Sequence, residues 1–90
     1  MSAGVRFQPT PNPNAGKFVA GRTVVEGKGS RSFYSAAQAA TDPLAAALFE
    51  LDGVASLFMA DDFITVTKVA SMDWSTLTPR VIRVIEERLG

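Results

Sequence analysis

The sequence contains no cysteine and no histidine. Their absence excludes a disulfide, a Cys/His zinc site, a thiolate-ligated iron–sulfur cluster, a cysteine nucleophile and an imidazole general base. Most common catalytic chemistry is thereby removed. No apolar run approaches the ~20 residues of a membrane span. The opening MSAGVRF has neither the apolar core of a secretory signal nor the Arg-rich amphipathic character of a transit peptide, so a cytoplasmic chain is expected. An excess of either charge is lacking as well: nine Lys/Arg face nine Asp/Glu. A nucleic-acid binder is normally net basic with clustered Lys/Arg, so nucleic acid is not an expected partner.

What is present is apolar: 47% hydrophobic residues and 20% charged ones over 90 residues, the profile of one small globular domain spanning residues 1–90. Charge is unevenly spread along it. Residues 1–45 hold five Lys/Arg against two Asp/Glu, and residues 46–90 hold four against seven. Such a gradient can steer a charged partner if folding keeps it.

Three of the five prolines fall in FQPTPNPNAGKF, Phe7 to Phe18, between the strand-like pieces Val5–Phe7 and Lys17–Ala20. Each proline fixes its own φ and biases the preceding residue toward extended geometry, which predicts a hairpin with a stiff, polyproline-like tip that cannot pair as a strand. Arg22–Val25 and Arg31–Ser35 are further strand candidates, separated by a Gly-rich turn.

TDPLAAALFELDGV carries helix start and stop signals. Asp42 caps, Pro43 suits the first helical position, and Leu44, Ala47, Leu48 and Leu51 form an apolar stripe that Gly53 can end. VASLFMA and FITVTK then form a hairpin whose turn falls at Asp61 and Asp62. A last helix places Trp74, Leu77, Val81, Ile82, Ile85 and Leu89 on one stripe. It starts either at Asp73, with Pro79 in its interior, or at Thr78, with Pro79 in its first turn. The order ββ(β)αββα predicts an α+β fold: a largely antiparallel sheet with two helices on one face.

Candidate chemistry is sparse. Glu26–Arg31, EGKGSR, has phosphate-cradling residue types but neither the P-loop order nor a helix directly after it, and reads as a turn. Lys17, Lys28, Lys68 and Tyr34 are the only residues besides carboxylates suited to acid–base or covalent work. A lysine needs a buried, pKa-lowering pocket for that role, so no enzyme is expected. Phe7, Phe18, Phe49, Phe58 and Trp74 could form an interaction surface, but alternation and helical spacing place most of them in the core. Phe33, Tyr34 and Phe63 are harder to bury together and are candidates for an exposed aromatic patch.

Thr10–Gly21 (TPNPNAGKFVAG), Asp42–Lys68 (DPLAAALFELDGVASLFMADDFITVTK) and Asp73–Glu87 (DWSTLTPRVIRVIEE) together resemble the N-terminal domain of Nfu/NifU-type iron–sulfur cluster scaffold proteins, in order and across almost the whole chain. The resemblance implies the α+β fold and a place in iron–sulfur cluster biogenesis, and it makes the Pro-Asn segment a family signature rather than a linker. In the full-length scaffolds resembled, a Cys-x-x-Cys motif in a separate C-terminal domain holds the cluster. This chain has no cysteine, which leaves it an accessory role as a non-catalytic adaptor without a cofactor of its own. Its implied partner is a protein of cluster biogenesis, either scaffold or client, met by a monomer. The expected contacts are Asn12, Asn14 and Lys17 around the first hairpin and Asp61, Asp62 and Phe63 at the second. The alternative is a weak iron carrier using Asp61 and Asp62 as hard oxygen ligands.

Overall fold

The computed structural model describes residues 4–27 and 29–89. Five strands form one sheet: β1 (Arg6–Pro9), β2 (Ala15–Val19), β3 (Ser30–Phe33), β4 (Val54–Ala60) and β5 (Phe63–Lys68). Their spatial order is β1-β2-β5-β4-β3, with every neighbouring pair antiparallel. Three helices accompany it: α1 (Ala36–Ala39), α2 (Pro43–Phe49) and α3 (Trp74–Leu89). The expected α+β architecture is present, with one short helix more than the sequence suggested.

The helix signals act as their chemistry requires. Leu44 N and Ala45 N donate to Asp42 Oδ1 at 3.0 and 3.1 Å, Pro43 opens α2, and Leu44, Ala45, Ala47 and Leu48 are buried. The unanticipated α1 has its own cap: Gln38 N donates to Ser35 Oγ, while Tyr34 N donates to Gln38 Oε1 at 2.7 Å. That reciprocal pattern is close to a capping box, and Ser35-x-x-Gln38 is its sequence mark. The last helix starts at Trp74, so Pro79 lies inside it. Pro79 is exposed, which puts the carbonyl deprived of its donor within reach of water while Leu77, Val81 and Ile85 face the core.

Three strand expectations are corrected. The segment Arg22–Val25 is not a strand. Val24 N and Val25 N both donate to the Asp61 carbonyl, at 2.7 and 3.1 Å, so the chain wraps the β4–β5 turn instead of adding to the sheet. Pro9 does lie in a paired strand, opposite Gly16, which a proline tolerates because β1 is an edge. The tip between β1 and β2 is a folded turn, not a polyproline-like rod. Asn12 N donates to Thr10 Oγ1, Asn14 N donates to Asn12 Oδ1 at 2.9 Å, and Ala15 N donates to the Asn12 carbonyl at 3.0 Å. Polyproline geometry has no internal hydrogen bonds, whereas the Thr and Asn side chains offer several, and these decide the conformation.

One core joins sheet and helices. Phe18, Leu57, Met59, Ile64 and Val66 face Leu48, Leu77, Val81 and Ile85, and each of these side chains is essentially sealed from water. Arg31 on β3 reaches Asp42 at 3.3 Å, tying the edge strand to the start of α2. Truncating Leu48 or Ile85 to Ala removes methyl groups from this sealed core and should lower stability by about 2–5 kcal/mol in each case. Urea melts measure it, and a change below about 1 kcal/mol would mean that these faces are not packed as described.

Candidate protein-contact site

The expected contact residues separate into two groups. Lys68 ends β5 beside the Pro-Asn tip, and Phe63 begins it beside the Asp61–Asp62 turn, about 17 Å away at the usual rise per residue. Asn12 and Asn14 belong to the first end, Asp61 and Asp62 to the second, and Lys17 lies between them at the middle of β2, opposite Thr65.

At the first end the tip is tied into the domain. Lys68 N donates to the Asn14 carbonyl at 2.7 Å, and the Lys68 ammonium donates to Asn14 Oδ1 at 3.1 Å and to the Val69 carbonyl at 3.4 Å. Only 9% of Lys68 is exposed, and its ammonium lies 5.9 Å from the centre of the Trp74 ring. The carboxamide, the carbonyl and the ring face together replace the water that this charge has lost. Trp74 Nε1 donates to the Pro13 carbonyl at 2.9 Å, and the Trp74 ring packs with Phe7 and Phe18 at centroid distances of 5.3 and 6.1 Å. Gly16 is required beneath them: a Cβ there would lie 3.0 Å from Trp74 Cη2 and nearer still to the Phe7 ring. The Asn14 side chain is therefore spent on Lys68 and that of Asn12 on the turn.

The second group opens onto the face of the sheet away from the helices. Pairing places Lys17, Thr65, Phe58 and Ser32 in one row across β2, β5, β4 and β3, with Val19, Phe63, Ala60 and Ser30 in the next. Phe58, one of five aromatics of which spacing places most in the core, is 39% exposed, because Leu57 and Met59 on either side of it point inward. Phe33 and Tyr34 divide instead: the first is buried and the second is 70% exposed. The Phe58 and Phe63 rings lie 6.1 Å apart, and Lys17 Nζ sits 4.4 Å from the Phe63 ring centre. Lys17 and Phe63, both expected contacts, come together on this face with Phe58, whose outward phase is marked in the sequence only by Ser56 two residues earlier.

The Asp61–Asp62 turn is held by its backbone. Asp61 has φ 49°, its carbonyl accepts from Val24 and Val25, and the Asp62 carbonyl accepts from Ala20 at 2.8 Å. Among the described residues no group of three or more His, Cys, Asp or Glu comes together as a metal site. Lys28, one of the residues weighed for catalysis and part of the Gly-rich segment, lies outside the described residues. Among those residues no helix is long and apolar enough to cross a membrane.

An antiparallel five-stranded sheet covered by helices on one side, with aromatic side chains on the other, defines a small α+β domain. The family described as "Scaffold protein Nfu/NifU N terminal" matches residues 5–90, and the chain belongs to that family. A NifU-like protein of Schizosaccharomyces pombe is 42% identical over 90 residues, covering 99% of this chain and 35% of the relative. The human NFU1 iron-sulfur cluster scaffold homolog, mitochondrial, is 43% identical over 82 residues, covering 90% and 32%. The chain thus spans about a third of the length of these curated relatives. Among solved structures, the solution structure of a NifU-like protein from Saccharomyces cerevisiae aligns with TM-score 0.87 at 26% identity, over 98% of this chain and 79% of that one. The crystal structure of protein SAV1430 from Staphylococcus aureus aligns with TM-score 0.75 at 29% identity, over 91% and 98%.

The expectation of a cytoplasmic location is corrected by relatives whose names carry a location. The human protein and NifU-like protein 5 of Arabidopsis thaliana, 40% identical over 81 residues, are both named as mitochondrial, which points to the mitochondrion rather than the cytoplasm.

The two asparagines should behave differently from a free binding element. Asn14→Ala leaves the Lys68 ammonium short of its carboxamide partner and should lower stability by about 1–3 kcal/mol. Asn12→Ala removes one exposed turn bond and should cost about 0.5–1 kcal/mol. Denaturant melts of the two variants check the order. Equal and negligible shifts would return the tip to the status of a free loop.

Proposed function

We propose that this domain is a non-catalytic protein-contact module of iron–sulfur cluster assembly or delivery. Family membership supplies the process, and the absence of cysteine keeps cluster ligation away from this chain's own side chains. The observation that carries the contact role is the free sheet face, where Phe58 and Phe63 stand side by side with Lys17 over the second ring. Phe58 is exposed and Phe63 half-buried, and aromatics at a surface are residues from which binding energy is usually drawn. Lys17 and Phe63 are contact residues in this reading, Phe58 joins them, and Asp61 and Asp62 form the rim at the turn. Asn12 and Asn14 act indirectly, by fixing the hairpin that carries Lys17.

The reading is tested by immobilising the 90-residue chain, passing over it an extract of the source organism, and identifying the retained proteins by mass spectrometry. Retained proteins should be enriched in iron–sulfur assembly factors or in proteins that receive clusters. Retention of neither class, with the chain folded by its melting curve, would contradict the proposal.

A further inference from the structure

Charge in this fold is sorted by layer. The five strands carry Arg6, Lys17, Arg31 and Lys68 and not one carboxylate. Arg31 and Lys68 turn to the helix side, where they meet Asp42 and Asn14. Arg6 and Lys17 are left on the open side, since Arg6 pairs with Val19 and Val19 with Phe63, while Lys17 pairs with Thr65. The open face therefore presents an apolar centre of Phe58 and Phe63 with two cations and no strand carboxylate to neutralise them. Asp61 and Asp62 sit in the turn beyond the strand ends, and their carbonyls hold that turn against residues 20–25.

We infer that this face docks an acidic segment of a partner protein, whose apolar side chains pack on Phe58 and Phe63 and whose carboxylates meet Lys17 and Arg6. The inference rests on the contact role proposed above and adds the chemistry of the partner. Lys17 is the device that makes the face selective. In the free domain its ammonium lies over the Phe63 ring, so it shields that ring from water and from uncharged apolar chains. A carboxylate arriving beside Lys17 is a better partner for the ammonium than the ring is, and drawing the ammonium aside uncovers Phe63 for apolar contact. The acidic and apolar parts of the ligand thus depend on each other. A second copy of the chain fits poorly, because a twofold pairing sets a face with cations and no strand carboxylate against itself. Single-stranded nucleic acid fits poorly too, because two cations on a chain of zero net charge provide little of the basic track a phosphate backbone needs.

Selection of random linear peptides displayed on phage, with the 90-residue chain as bait, tests this directly. Enriched sequences should combine Asp or Glu with Phe, Leu or Trp. Synthetic copies should bind about tenfold more weakly to Lys17→Glu and to Phe58→Ser, weaken with rising ionic strength, and be unaffected by Arg80→Glu on the exposed side of α3. Both substituted side chains are at the surface, and each variant's melting curve verifies its fold. Enrichment without an excess of acidic residues, or no enrichment, overturns the inference, as does equal binding by both folded variants. Tighter binding of a single-stranded RNA oligonucleotide, or a dimer abolished by Phe58→Ser, also overturns it. If the folded variants and the parent chain retain cluster-assembly proteins equally well, the face is wrong while the functional reading stands. If the parent retains none and peptide selection succeeds as described, the functional reading falls and the face stands.

Discussion

Trp74 joins parts of the chain that lie far apart in sequence. Its indole N–H holds the Pro13 carbonyl, its ring closes over Phe7 and Phe18, and the Lys68 ammonium lies near its face. A domain of this size buries a modest share of its surface, and here no disulfide or metal-ligating thiol or imidazole can compensate. The first hairpin is at the edge of the sheet and would otherwise be held by strand pairing on one side only. Trp74 fixes it to the start of α3, and Lys68 fixes its tip to the end of β5. The start of β2 is thereby settled, and with it the position of Lys17 on the opposite face.

In the proposed function, stability and contact fall to opposite faces of one sheet. On the covered side, residues facing the helices are apolar, and the two charged ones are matched to Asp42 and Asn14. On the free side the same strands show aromatics, Ser and Thr, and cations without strand acids. Antiparallel sheets tolerate a solvated face, and an unpartnered aromatic pair on one is the feature that plain solvation does not require.

Local chemistry was legible in the sequence and distant partnerships were not. Asp42-Pro43 marked the start of α2, and Asp61-Asp62 marked the β4–β5 turn, because each signal acts on its immediate neighbours. Lys68 and Asn14 are 54 residues apart, and Trp74 and Pro13 are 61, so nothing in either segment announced the lock that makes the Pro-Asn tip structural. The prolines of the tip predict a stiff rod, but its Thr and Asn side chains fold it into a turn. Phe58 was hidden by its neighbours: in the apolar run Leu57, Phe58, Met59 the alternation cannot be phased without the partner strand. The cytoplasmic expectation rests on the composition of a short N-terminal stretch, and relatives named as mitochondrial stand against it.

The central claim is that the hairpin is locked to α3 through Trp74, the only tryptophan in the chain. Its indole N–H gives one unambiguous resonance, so hydrogen exchange at that single proton measures the lock directly. The account predicts slow exchange in the parent chain, with protection well above that of a free indole and greatly reduced in Asn14→Ala as the tip loosens. Exchange at the rate of a free indole in the folded parent chain would contradict it.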